Sequence, residues 1–193
     1  MNLRRPLLSL LTLALFPSLL PADEVDRELV DPEGTAHQPL VVGTKKASVI
    51  FFVSPFCPTS NTFQPEMNAI SSEFAGAFAF YSVHSDPGVS LDVAIQHRDL
   101  MEIPGIVLLD LDQAFAEYLG ATITPEVIVM GPHGKTLYQG RINDLYLGPT
   151  RRQREATTRE LRDALESIEK GEAVALPRTD PVGCDLPGRK KAP

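Results

Sequence analysis

Ala47-Ser48-Val49-Ile50-Phe51-Phe52-Val53 runs directly into Ser54-Pro55-Phe56-Cys57-Pro58-Thr59-Ser60, and this junction decides the fold. The first seven residues are almost wholly apolar and rich in Val, Ile and Phe, the pattern of a strand covered on both faces. After Cys57, Phe63, Met67, Ile70 and Phe74 recur at helical spacing, with Pro58 suited to the first helical position. A strand that ends in cysteine and turns at once into a helix puts sulfur at a helix N-terminus. Free backbone N–H groups and the helix dipole favour negative charge there. The thiolate is the reactive form of cysteine, so the position predicts a partly accessible Cys57 with a lowered pKa. The competing account is a small buried apolar residue.

Beyond this junction the elements alternate. The first helix ends near Ala75-Gly76, and Ala77 to Val83 is a second strand. Ser90 to Leu100 is a second helix, Ile106 to Leu109 a short strand, and Gln113 to Leu119 a brief helix closed by Gly120. Glu126 to Met130 and Lys135 to Gln139 flank Gly131-Pro132-His133-Gly134 as a hairpin. The last helix is expected from Thr157, with Thr157 and Glu160 as a capping box, a stripe of Leu161, Ala164, Leu165 and Ile168, and Gly171 as its cap. Parallel crossovers come first and an antiparallel pair with a covering helix last, which predicts an α/β three-layer sandwich with a mixed central sheet.

Before position 47 the composition changes. Met1 to Arg5 is basic, Leu7 to Leu20 is leucine-rich, and Ala22 is a cleavage point before Asp23-Glu24. The apolar stretch is short for a membrane span and carries Pro17, so residues 1–22 are expected to be a signal peptide and the protein to be exported, periplasmic or extracellular. Residues 23–46 form an entry segment, 47–170 the domain, and 171–193 a tail carrying Cys184. Without the leader, 16 basic residues face 25 acidic ones, which argues against nucleic acid as a partner. The two cysteines, in an exported chain, suggest one disulfide, permanent or cycling.

The order of elements resembles the thioredoxin fold, and the motifs resemble its redoxin branch, the peroxiredoxin-like proteins of the alkyl hydroperoxide reductase and thiol-specific antioxidant type. Phe56-Cys57-Pro58-Thr59 is similar to the segment in which a peroxiredoxin's attacking cysteine is followed by Pro-Thr. Thr124-Pro125 precedes a strand, where thioredoxins keep a cis-proline beside the reactive sulfur. Gly131-Pro132-His133-Gly134, then Tyr138-Gln139-Gly140-Arg141 and Asn143-Asp144, match the redoxin hairpin and its exit. The likeness covers roughly residues 40–170.

The departures are specific. Peroxiredoxins carry proline seven residues before the cysteine and threonine three before; here these are Ile50 and Ser54, so only the hydroxyl is kept. The peroxide-polarising arginine should fall near Thr124 and is absent. Ser60 stands where a thioredoxin has its second cysteine.

The resemblance therefore implies a thiol-dependent oxidoreductase with Cys57 as nucleophile, Ser54 and Thr59 beside it, and Thr124 and Pro125 meeting the substrate. Thiol–disulfide exchange and peroxide reduction both remain open, with a protein disulfide or peroxide as substrate and an external thiol as reductant. No cofactor and no metal are expected. Cys184 is a resolving partner for Cys57, a partner for another chain, or an idle thiol; the segment from Gly171 to Gly183 spans about 40 Å if extended, enough to return to Cys57. A permanent Cys57–Cys184 bond would instead make the chain a redox-inert binding module. His84, at a strand end, is expected to face solvent; His97 and His133 fall on a helix face and a turn tip, and Arg151, Arg152 and Arg154 on a solvated entry to the last helix.

Overall fold

The computed structural model describes residues 27–189. The expected signal peptide falls outside them. Along the chain lie β1 (Leu29–Val30), β2 (Ala36–His37), β3 (Ala47–Phe52), α1 (Pro58–Phe74), β4 (Phe78–His84), α2 (Leu91–Leu100), β5 (Ile106–Leu109), α3 (Ala114–Leu119), β6 (Ile123–Thr124), β7 (Glu126–Met130), β8 (Thr136–Gly140), β9 (Tyr146–Gly148), β10 (Arg151–Arg152), α4 (Glu160–Lys170) and β11 (Cys184–Asp185). Seven strands form one mixed sheet in the order β2-β1-β5-β4-β3-β7-β8. β3, β4 and β5 run parallel, and β7 pairs antiparallel with both β3 and β8.

Every residue of β3 is buried, as its unbroken apolar run requires. Val49, Phe51 and Val53 pack with Phe63, Met67 and Ile70 of α1 and with Leu161 and Leu165 of α4. Ile50 and Phe52 point the other way, into a cluster with Phe115 and Ala116 of α3, Ile128 of β7 and Leu186 of the tail. The period-two alternation of the strand thus divides the core into two layers. Arg162 of α4 ties the helices of the first layer together by pairing with Glu66 and Glu73 of α1.

The last helix departs from the sequence expectation. α4 begins at Glu160, and its N-cap residue, Arg159, makes no side-chain capping bond. The Thr157–Glu160 capping box does not form because both side chains have other partners. The Asp144 carboxylate accepts the backbone N–H of Thr157 at 2.6 Å and of Thr158 at 3.0 Å, and the Thr157 hydroxyl as well. Glu160 instead pairs with Arg141. Gly171, with φ of 76°, caps the other end as expected. Among the described residues no helix is long and apolar enough to cross a membrane.

Candidate active site

Cys57 is the N-cap residue of α1, with extended backbone (φ −99°, ψ 110°) and Pro58 following. Proline lacks the N–H that this position would leave unpaired, so it starts the helix at no cost in hydrogen bonding. The Ser60 backbone N–H points at the Cys57 sulfur across 3.5 Å. The loop before it is braced by hydroxyls: Ser54 Oγ accepts the Phe56 N–H at 3.2 Å, and Ser60 Oγ accepts the Ser54 N–H at 3.3 Å. Ser54 therefore shapes the cysteine turn. Thr59 is half-buried on the first turn of α1 and makes no side-chain hydrogen bond among the described residues.

The peptide bond between Thr124 and Pro125 is cis. The Thr124 carbonyl oxygen lies 3.1 Å from the Cys57 sulfur, and its hydroxyl donates to the Phe52 carbonyl at the end of β3. The structure so brings Ser54, Cys57, Thr124 and Pro125 together at one end of the central strands.

Cys184 joins them. Its sulfur is bonded to that of Cys57, across 127 residues of chain. The expected partial accessibility of Cys57 is not met: it is 2 % exposed, because the tail lies over it. β11 pairs antiparallel with β6, Cys184 opposite Thr124 and Asp185 opposite Ile123, and the Leu186 N–H continues the ladder to the Thr122 carbonyl. Side chains alternate as a strand dictates: Cys184 turns inward, Asp185 is exposed and Leu186 is buried. Gly183 makes the approach possible, since a Cβ there would fall 2.2 Å from the Thr124 oxygen.

The tail is also held upstream. Gln139 of β8 donates its N–H to the Pro177 carbonyl and accepts the Thr179 N–H. Thr179 Oγ1 bonds with the Tyr138 hydroxyl at 2.8 Å and accepts the Arg141 N–H at 3.0 Å. Gly140, with φ of 148°, leaves the room: a Cβ there would sit 2.1 Å from Thr179 Oγ1. Burial raises the Tyr138 hydroxyl to about 12, so it stays protonated.

Two polar groups of the site escaped sequence reasoning. Glu126, next to Pro125, is buried beneath the tail and accepts from Gln139 Nε2 at 2.9 Å and from the Thr122 N–H at 3.2 Å. Burial raises its pKa, and these donors only partly offset that. Arg178 of the tail donates to Gln139 Oε1 at 2.7 Å, so Gln139 links the buried carboxyl to the tail. A strand position between apolar neighbours gave no sign of this.

His84 corrects the expectation of a solvent-facing strand end. It is fully buried, its ring edge-on to that of His97 with centroids 5.1 Å apart. No hydrogen bond closes on either ring nitrogen of His84 among the described residues. Burial, then the neighbouring His97, lower its pKa to about 3 despite the facing Val53 carbonyl, so it is neutral. His97 Nε2 is 3.0 Å from Asn61 Oδ1, and Asn61 donates to the Pro55 carbonyl in the cysteine loop. The histidine spacing across two elements carries no pattern that could announce the pair. His133 lies in the β7–β8 turn, and Arg151 and Arg152 are exposed on β10.

No protein-family model and no curated protein matches the chain. Solved structures do. A hypothetical protein from Sinorhizobium meliloti is 21% identical with a TM-score of 0.72, the match covering 82% of this chain and 88% of that one. A secreted disulfide oxidoreductase of Mycobacterium tuberculosis, homologous to E. coli DsbE, is 13% identical with a TM-score of 0.56, covering 74% and 96%. The bacterioferritin comigratory protein of Xanthomonas campestris, which has alkyl peroxide reduction activity, is 17% identical with a TM-score of 0.55, covering 79% and 96%. With its mixed sheet, its cysteine at the start of α1 and its cis-proline opposite, the chain has the thioredoxin-like fold, with a DsbE-like oxidoreductase and a redoxin-branch protein among its structural neighbours.

Proposed function

We propose that this protein is an exported thiol-dependent oxidoreductase in which Cys57 is the nucleophile and Cys184 the resolving cysteine. The observation that carries the proposal is the disulfide itself: it joins a helix N-cap cysteine, beside a cis-proline, to the one other cysteine of the chain. Export rests on the basic and leucine-rich start of the sequence; the Mycobacterium tuberculosis neighbour is itself secreted.

In the exchange reaction the reduced Cys57 thiolate attacks one sulfur of a substrate disulfide. A Cys57–substrate bond forms as the substrate S–S bond breaks, and the first substrate thiolate leaves. The Cys184 thiolate then attacks the Cys57 sulfur, and the second substrate thiolate leaves. Two electrons pass from the protein dithiol to the substrate, and an external dithiol restores the start. Helix α1 favours the Cys57 thiolate through its dipole and the Ser60 N–H.

With a peroxide, Cys57 would form a sulfenic acid and release an alcohol, and Cys184 would condense with it to expel water. Exchange is favoured because position 124 holds threonine where a peroxiredoxin arginine would be. A second account has a specific observation behind it: Cys57 is 2 % exposed under a tail fixed by Gln139, Thr179 and Leu186, as a permanent lock would be.

The deciding experiment titrates the mature protein in dithiothreitol redox buffers, with mass-tagging of free thiols, and then measures turnover of a protein disulfide and of an alkyl peroxide. Reversible formation of the Cys57–Cys184 bond with turnover that is lost in Cys57→Ser establishes the cycle. A bond that resists native-state reduction, with no turnover, establishes the lock.

A further inference from the structure

The tail lies as an added strand against residues 122–124, and the way it sits there specifies what else could. Its contacts have three parts. The backbone of residues 184–186 is an added strand on residues 122–124. Gly183 passes so close to the Thr124 carbonyl that a Cβ at this position would lie 2.2 Å from the oxygen, which excludes any residue larger than glycine without displacement. Leu186, 1 % exposed, fills an apolar pocket with Phe115, Ala116, Ala121 and Ile128. Asp185 between them faces solvent. Phe56, adjoining Cys57, is 59 % exposed and offers further apolar surface to a partner.

We infer that the substrates are extended peptide segments of the pattern Gly-Cys-x-Leu, taken as an antiparallel strand along residues 122–124, and that the tail is an internal copy of that pattern. The inference rests on the proposed exchange chemistry of Cys57 and adds its selectivity. Main-chain bonds supply sequence-independent affinity in such strand addition, and pockets for alternate side chains supply the choice. Here the inward positions are the cysteine, which must meet Cys57, and the residue two further on, which must be a large aliphatic. The residue before the cysteine must lack a side chain. Reduction of the Cys57–Cys184 bond frees the groove for such a segment, and resolution by Cys184 returns the tail and expels it.

The test uses the full mature chain carrying Cys184→Ser, so that the adduct at Cys57 persists. The probe is a peptide with the sequence of residues 179–188, its cysteine carried as a mixed disulfide with thionitrobenzoate. Cys57 attacks the peptide sulfur, the peptide joins Cys57, and thionitrobenzoate leaves as a coloured thiolate. The expected result is that peptides with Val in place of Gly183 or Asp in place of Leu186 react at least about tenfold more slowly, the scale set by one buried aliphatic side chain. A peptide with Asn in place of Asp185, which is exposed, should match the parent.

The tethered tail competes with all peptides alike, so it lowers the rates without changing their ratios. The same comparison on pre-reduced wild-type chain guards against a folding defect in the variant. Equal rates for all peptides, with Cys57 still reacting with free dithiobis-nitrobenzoate, would overturn the selectivity and leave the oxidoreductase standing. A Cys57 inert to that small disulfide as well would remove both.

Discussion

Leu186→Ala separates a tail that cycles from one that is fixed. Leu186 is 1 % exposed and packed among Phe115, Ala116, Ala121 and Ile128. Truncating a buried leucine costs about 2–5 kcal/mol, and at the edge of a core, where neighbours relax, about 2–3 kcal/mol is the apt range. If reduction frees the tail, that loss falls on the oxidised state alone. It then weakens the disulfide by about 1.5–2.2 powers of ten, which raises its reduction potential by about 45–65 mV. If the tail stays docked when reduced, both states lose the same energy and the potential does not move. The assay is equilibration of wild type and variant in graded thiol–disulfide buffers, with acid quenching and alkylation of free thiols. A shift under about 10 mV in a variant that otherwise unfolds normally would refute tail release, because a two-electron shift that small is under 0.5 kcal/mol.

Four further outcomes are expected. Gly183→Val should slow formation of the Cys57–Cys184 bond from the reduced protein by more than about tenfold, because its side chain would meet the Thr124 carbonyl; stopped-flow oxidation with mass-tagging reads this. Alkylation of reduced Cys57 in Cys184→Ser should give an apparent pKa below the free-thiol value of about 8.5, and a value of nine or more would remove the helix-dipole argument. His84 is held neutral in the fold, with a pKa of about 3. Below the ordinary histidine value near 6.5 the unfolded chain takes up a proton that the native one refuses, so stability falls as pH drops from there toward 3, by about 3 kcal/mol at pH 4.5. Urea midpoints at pH 7 and 4.5 should diverge less in His84→Leu, and an equal divergence would contradict the assignment. Asp144→Ala should cost about 1–2 kcal/mol in urea unfolding, because the carboxylate holds the Thr157 and Thr158 N–H groups that lead into α4.

The parts of the fold legible in the sequence are those written in local pattern. An unbroken apolar run marks β3, helical spacing after Cys57 marks α1, and a turn cluster between β-prone runs marks the β7–β8 hairpin. The start of α4 departs from expectation because a capping box is a pairwise rule between neighbours, and Asp144, thirteen positions away in the chain, offers Thr157 a stronger partner. Motif order marks Ser54, Cys57, Thr124 and Pro125, whereas nothing local marks His84, His97 or Glu126. A buried polar group is recognisable only by what surrounds it, and its surroundings come from strands and helices far apart in sequence.

The tail shows why the same contacts can serve a cycle. Fixing the backbone of one residue costs about 1–2 kcal/mol, and one intramolecular hydrogen bond contributes about 1 kcal/mol net. A tail residue that makes one such bond, as Pro177 does with Gln139, therefore at best roughly breaks even when it docks. Surplus must come from elsewhere, and Leu186, worth about 1.5–3 kcal/mol buried, is the fully buried apolar side chain of the segment from 177 to 189. A docking energy of that size is small beside a covalent bond, and the Cys57–Cys184 bond keeps the tail on the site whatever its other contacts contribute. With the bond intact the tail stays down; with it reduced, one leucine does not outweigh the ordering cost summed over the strand, the tail leaves, and a peptide that presents its own leucine to the same pocket can take the place.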